Sequence, residues 1–297
     1  MQNYIDLMTR LTTKLSNVTT PRGDRTGTGT ASVFGERLVF DLDQGFPLLP
    51  YREMDFKNVV VELLWFLRGS TSIEFLERHG CKWWSEQCSK TGDVGPLYPL
   101  QWRGDGNEYP DQFFEAVSTL LNDPTSRRIV VDSWDAKTIP PNSNDYDDNV
   151  SRGKMAIAPC HPLFQFYVEE VNGRRFLQCQ FYMRSSDTFL GLPANIASYA
   201  LLTHIVAQLI GATPKKLIWI GGDVHLYANH LDAAKKLLDQ RRAKKIELPI
   251  YVMPDLSKFG VRVDNGLNFD DDGLVGALTA GLHHYYPAAP IRARMAR

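Results

Sequence analysis

The sequence predicts an α+β fold, on three observations. Apolar residues recur at helical spacing in the first third of the chain and again over residues 195–240. Between them lie short runs rich in Val, Ile, Phe and Tyr, bounded by turn residues. No Ser/Gly-rich linker and no fixed-period repeat divides the 297 residues, so residues 1–297 read as one domain with a large, mostly β-rich core.

Ile5, Met8, Leu11 and Leu15 place an amphipathic helix over 4–17. A polar, glycine-bearing loop follows at Arg22–Thr30, then Ala31–Asp41 alternates as a strand. Residues 53–68 read as a buried helix ended by Arg68-Gly69, with shorter helices at 71–79 and 110–122, the latter with Pro110 near its start. Arg128–Trp134, Leu163–Glu169 and Phe176–Arg184 are strands. Between the first two, residues 138–154 carry two prolines, three asparagines and three aspartates, the composition of an exposed, mobile insertion. Asn195–Leu209 is a long apolar helix, Leu217–Ile220 a buried strand and Asn229–Gln240 a surface helix. The polar tail Pro287–Arg297 has no periodicity and, on composition, reads as a frayed end.

Composition excludes several classes. Charged residues at 23% and hydrophobic residues at 43% argue against disorder. With 33 Lys+Arg against 34 Asp+Glu, no global field draws the chain to nucleic acid or an anionic membrane. An anionic ligand would need a local arginine cluster. Four cysteines without a C-x-x-C pair suit a reducing compartment and no structural metal. The N-terminus does not read as a signal peptide, and apolar runs such as Val59–Leu67 are short of a membrane span. The chain reads as soluble and cytoplasmic.

Four groups of residues could carry chemistry. Cys160 stands beside His161, but in a strand adjacent side chains point to opposite faces, so the two are not expected to share a proton. Cys160 is either a nucleophile whose thiolate nearby arginines stabilise, or an inert buried thiol. Arg25, Arg127, Arg128 and Arg184 stand in loops or at strand ends; with Ser185 they could clamp a phosphate, or each is a solvated side chain. Glu62 is flanked by three apolar residues on each side, which marks a buried acid, either a general acid–base or the anchor of a polar network. Asn195 offers donor and acceptor to a pyrimidine edge, or caps its helix. His225 and Tyr227 share one face if extended and could bind a sugar hydroxyl, or each other.

Together these segments resemble the thymidylate synthase family from about residue 2 to the C-terminus. The carrying motifs are Asp24-Arg-Thr-Gly-Thr-Gly-Thr30, Glu62-Leu-Leu-Trp-Phe-Leu67, Gly95-Pro-Leu-Tyr-Pro-Leu-Gln-Trp-Arg103, Ser126-Arg-Arg-Ile129, Ala158-Pro-Cys-His161, Arg184-Ser-Ser-Asp187, Leu190–Tyr199 and Gly221–His230. The resemblance implies a large mixed sheet packed with helices, one sheet face forming a homodimer interface. It implies one-carbon transfer from 5,10-methylenetetrahydrofolate to C5 of dUMP after Cys160 attacks C6. Arg25, Arg184 and Ser185 would hold the phosphate, with Arg127 and Arg128 reaching across the dimer. His225 and Tyr227 would bind the 3′-hydroxyl, and Asn195 the uracil edge. Glu62, Tyr98 and His161 would move protons at O4 and C5, and Asp187 would touch nucleotide or pterin. Arg52, Trp83, Trp84, Leu190, Gly191, Ala194 and Met295 would meet the folate. The tail, 287–297, would then be a mobile lid.

The chain departs from the family pattern mainly on the folate side. Met183 replaces a glutamine, Ala194 a phenylalanine, Trp83 a smaller residue, Gln87 a tryptophan and Arg52 a lysine, while Arg297 ends a tail that usually closes on a small apolar residue. Two products are therefore in play. Hydride transfer from tetrahydrofolate gives dTMP and dihydrofolate; water addition gives 5-hydroxymethyl-dUMP and tetrahydrofolate. Retained Trp84 favours dTMP. Family hydroxymethylases acting on dCMP carry aspartate where Asn195 stands, so uracil is the expected base. Two further readings weigh less: a non-catalytic nucleotide binder should lack the nucleophile, and a thiol hydrolase needs a histidine base for Cys160.

Overall fold

The computed structural model describes residues 1–141, 145–244 and 246–296. Its centre is a five-stranded mixed sheet in the order β1-β5-β4-β3-β2. These strands are β1 (Thr30–Asp41), β2 (Val130–Asp132), β3 (Leu163–Val171), β4 (Arg174–Asp187) and β5 (Thr213–Tyr227). Only β4 and β5 run parallel; the other neighbours are antiparallel. β3 and β4 turn back through Asn172-Gly173, both at positive φ (53° and 73°). An Asn-Gly pair accepts that left-handed geometry at little cost and matches the twist of the flanking strands.

Helix α1 (Gln2–Asn17) buries Tyr4, Ile5, Leu7, Met8, Leu11 and Leu15, a stripe that packs on β1 and on α8 (Leu231–Ala243). Helix α2 (Phe56–Arg68) starts at Asp55, whose carboxylate accepts from Asn58 N, and stops at Gly69 in the left-handed region. Every residue from Val59 to Leu67 is buried, so the helix has no wet face over that stretch. Helix α7 (Gly191–Leu209) is apolar all round and makes the crossover between the parallel strands β4 and β5. Short helices α3 (Glu74–Arg78), α4 (Tyr98–Arg103), α5 (Gln112–Asn122) and α6 (Tyr146–Ser151) lie between β1 and β3, and α9 (Gly273–Ala280) lies between β6 (Ile250–Tyr251) and β7 (Leu282–His283), which pair as a small antiparallel sheet.

Several boundaries differ from those expected of the sequence. The strand expected at Leu217–Ile220 runs the full Thr213–Tyr227, because it pairs on both sides. Helix α7 begins at Gly191, which places Asn195 inside its second turn and not at its cap. Helix α4 was not expected. Its first turn holds Pro99, which fits a helix start because the missing N–H has no intrahelical partner there.

Residues 138–154 are less exposed than their composition suggests. Thr138 and Asn149 are buried, Asn149 Nδ2 donates to Ala156 O at 3.0 Å, and Met155 N donates to Thr138 O at 2.9 Å. The polar residues there serve backbone carbonyls, which composition cannot reveal. Residues 142–144 of that insertion lie outside the described residues. The tail is likewise tied down: Ala288 N donates to Pro50 O (2.8 Å), Gln240 Nε2 to Ala289 O (3.3 Å), and Ile291 is buried. Arg297 lies outside the described residues. No described helix is long and apolar enough to cross a membrane.

Candidate active site

A buried carboxylate, Glu62, 8% exposed, lies on the wall of α2. Its Oε1 accepts from the indole Nε1–H of Trp84 at 2.7 Å. Burial pushes the carboxyl up to about 7 against the opposing pull of that hydrogen bond. A group poised there changes charge near neutral pH, as a general acid–base must.

Beside it, Tyr98 begins α4. Its hydroxyl oxygen accepts from Cys160 N at 2.6 Å and from His161 N at 3.4 Å. The His161 ring stacks on Tyr98 (centroids 4.1 Å apart, planes 2° apart), and its Nδ1 shares a hydrogen bond with Tyr199 Oη at 2.9 Å. Burial drives His161 down to about 3, so the imidazole is neutral at physiological pH.

Cys160 and His161 sit in a bend ahead of β3, not within a strand as expected. His161 Nδ1 is engaged by Tyr199 Oη. Arg184 braces the nucleophile segment. Its Nε donates to Pro159 O and its Nη2 to Ala158 O, both at 2.8 Å, and its backbone N donates to Cys160 O at 2.9 Å. The Cys160 thiol is half-buried, and burial raises it above the ordinary thiol range; the Arg184 and Arg25 guanidiniums pull it down and Asp187 pushes it up. The arginines thus favour the thiolate as expected, but burial outweighs them in the protein alone. Gly222 makes room for this arrangement, because a Cβ there would lie 3.0 Å from Arg184 O and 2.7 Å from the Tyr182 hydroxyl.

The rim is assembled from the loop 22–30 and the ends of β4 and β5. Asp24 accepts from Gly29 N (2.7 Å) and Thr26 N (2.7 Å); burial pushes its carboxyl up, but these hydrogen bonds and His225 leave it below the usual range. Arg25 projects from this loop, exposed. Across the sheet, Thr30 pairs with Tyr227 and Ala228 N donates to Gly29 O at 2.9 Å. His225 and Tyr227 share one face as their spacing predicts, ring centroids 4.9 Å apart. His225 Nδ1 meets Asp223 Oδ1 at 3.3 Å, and Asp223 Oδ2 accepts from Arg22 Nη1 at 2.7 Å. Asp187 Oδ1 accepts from Phe189 N (2.9 Å) and Leu190 N (3.3 Å) at the entrance to α7. Ser185, Leu190, Gly191, Ala194 and Asn195 are half-buried around it, and Trp83 is half-buried beside Trp84.

Four candidates lie outside the hydrogen-bond network around Cys160. Arg52 is 7% exposed, donates from Nη2 to Phe189 O at 2.8 Å and lies over the Phe189 ring, so it braces the entrance to α7 from behind. Arg127 and Arg128 are exposed at the far end of β2. Ile129 O accepts from Phe166 N and Val130 pairs with Gln165, so the pair enters β2 further along β3 from the end that adjoins Cys160. Met295 is exposed on the tail, where Gln87 Nε2 meets its sulfur at 3.4 Å.

The family model for thymidylate synthase matches residues 2–270. The chain belongs to the thymidylate synthase family. Its mixed α+β architecture is that of the family, and membership brings one-carbon transfer to dUMP with methylenetetrahydrofolate as donor. Among the described residues no cluster of His, Cys, Asp and Glu has the grouping of a metal site. A surface depression of about 470 Å³, lined by Ile73, Glu77, Ser85, Cys88, Lys90 and Thr91 among others, includes none of the residues assembled around Cys160. For this thymidylate synthase family chain, sequence reasoning assigned no role to Tyr199, Asp223 or His230. Tyr199 carried one usable signal: a tyrosine inside an all-apolar helix needs a partner for its hydroxyl.

Proposed function

We propose that the chain is a thymidylate synthase that converts dUMP and methylenetetrahydrofolate to dTMP and dihydrofolate, as one catalytic domain acting in the cytoplasm. The observation that carries this reading is the Cys160 segment, whose Cys160 N donates to the Tyr98 hydroxyl and whose Ala158 and Pro159 carbonyls accept from the Arg184 guanidinium, with Tyr98 packed on Trp84, the partner of buried Glu62. Cys160 Sγ adds to C6 of the uracil, which makes C5 nucleophilic enough to take the methylene carbon; Glu62, with Tyr98 and His161, handles the protons at O4 and C5. Neutral His161 and a carboxyl that titrates near 7 suit that work at physiological pH.

Arg25, Arg184 and Ser185 hold the phosphate, Arg184 with the donors its carbonyl contacts leave over. His225 and Tyr227 take the 3′-hydroxyl, and Asn195 reads O4 and N3–H of the base. Arg127 and Arg128, remote from their own Cys160, serve the partner subunit's site. The outer sheet face supports a homodimer: Phe34 is 85% exposed and Tyr167 62%, and Tyr182 pairs with Ile220 across β4 and β5. Trp83, Trp84, Asp187, Leu190, Gly191, Ala194 and Met295 meet the folate; Arg52 supports Phe189 behind them.

The tail favours hydride over water in the final step. Tied at Pro50, Gln87 and Gln240, it can seal the site while dihydrofolate forms. Mass analysis of the nucleotide after incubation with dUMP and methylenetetrahydrofolate tests this. Methylated nucleotide with dihydrofolate is expected; a hydroxymethyl product with tetrahydrofolate refutes the synthase reading. A preference for dCMP over dUMP refutes the role of Asn195.

A further inference from the structure

His230 is fully buried just beyond the end of β5, 0% exposed between the rings of Phe189 (5.4 Å) and Tyr227 (5.7 Å). Its Nε2 lies 2.8 Å from the backbone carbonyl of Arg294 in the tail. A carbonyl only accepts, so Nε2 carries the proton. Exposed Asn229 Nδ2 donates to the same carbonyl at 3.1 Å, which fills both of its lone pairs. The other ring nitrogen, Nδ1, has no hydrogen-bond partner and faces Asp187 Oδ1 at 3.6 Å.

We propose that His230 is a positioning residue that latches the C-terminal tail to Asp187, so that the tail closes over the site as a unit with the mouth of α7. The inference rests on the reading that Asp187 and the tail border the bound nucleotide and folate. A carboxylate facing Nδ1 favours the doubly protonated ring, and a cationic N–H is the stronger donor to Arg294 O. The charge at Asp187 therefore sets the grip on the tail, and by reciprocity a closed tail orients Asp187. The charged and titratable groups around the ring are Asp187, Arg52 and Tyr227. Burial and Arg52 work against the imidazolium, yet Asp187 and the Arg294 carbonyl together hold the proton on His230 above its ordinary value.

Limited trypsin digestion of the full-length protein without ligands tests the latch, read by mass spectrometry as release of the segment beyond Arg294 or Arg292. Cleavage follows the population of the open tail. His230→Ala should release it about tenfold faster than wild type, as expected for one lost hydrogen bond with its charge partner, and Asn229→Ala about threefold faster. Gln supplies a neutral donor in place of Nε2, so His230→Gln should release the segment more slowly than His230→Ala, about threefold faster than wild type. Equal release from wild type, His230→Ala and Asn229→Ala overturns the latch. So does His230→Gln behaving like His230→Ala. If His230→Ala does not fold, Asn229→Ala on its solvent-exposed position decides alone. None of these readouts needs turnover, so a missing methylated product would refute the function and leave the latch standing.

Discussion

At the floor of the site every polar side chain finds its partner on a different element. Glu62 of α2 meets Trp84, Tyr98 of α4 meets Cys160, and His161 meets Tyr199 of α7. At the rim the partners are mostly close in sequence: Asp24 with Thr26 and Gly29, Asp187 with Phe189 and Leu190, His225 with Asp223. Floor geometry is therefore set by tertiary packing and its proton affinities by burial, whereas the rim is shaped by local turns at a wetter surface. The floor can fix protonation states in advance, while the rim can rearrange around a ligand without disturbing them.

Three substitutions break or sharpen that contrast. The largest effect belongs to Cys160→Ser, where floor and rim meet. Turnover should fall by at least about 10³-fold while dUMP affinity stays within a few-fold, because the phosphate and sugar contacts belong to the rim. Near-wild-type turnover would sink the covalent mechanism. Equilibrium dUMP binding by titration calorimetry separates the two parts.

Next comes Glu62→Gln, which should lower kcat about 10²-fold with little change in dUMP binding. It also carries a stability signature. The folded carboxyl titrates near 7 against 4.5 for the ordinary group, so over that interval the native state holds a proton that the unfolded chain has released. Wild-type stability must therefore fall as pH rises from about 4.5 to 7, relative to Glu62→Gln, approaching about 3 kcal/mol above pH 7. Denaturant unfolding at pH 5 and pH 8 measures it. A pH-independent difference between the two proteins would remove Glu62 from the buried floor.

The smallest effect is expected for Tyr199→Phe. Losing the hydroxyl leaves His161 Nδ1 buried without its partner, which should cost about 1–3 kcal/mol of stability. Turnover should drop roughly tenfold with dUMP affinity unchanged, since only the orientation of His161 is lost. A matching loss of dUMP affinity would show that floor and rim are not separable.

How much of this was legible in the sequence follows the same division. Glu62 announces its burial because apolar residues flank it on both sides, but Trp84, 22 residues away, is supplied by packing that leaves no local mark. His225 and Tyr227 were readable as a same-face pair because period-two geometry is local. Arg184 was readable as a cation at a strand end, but not as the brace of Ala158 and Pro159, because it binds backbone carbonyls and these carry no sequence signature. The same limit applies to the tail. Its composition suggests fraying, yet Ala288 N donates to the Pro50 carbonyl, and the tail's own carbonyls at Ala289 and Arg294 accept from Gln240, Asn229 and His230. The stepwise rule applied to Cys160 and His161 assumed a strand where the chain bends, because alternation holds only for extended backbone.

The pairing of β1 with β5 has a consequence for how the protein comes into being. Thr30 meets Tyr227, Tyr4 Oη donates to Thr188 O, and Arg22 grips Asp223, so the locally shaped pieces of the rim are brought together from segments roughly 200 residues apart. Closing chain loops of that length is entropically slow, and the bonds that reward it come only afterwards. A nascent chain leaving the ribosome would carry Arg25 and Glu62 long before it carried the histidine and tyrosine that complete the nucleotide seat. Activity should therefore switch on in one late step of biogenesis, with no partly competent precursor to release a half-made product.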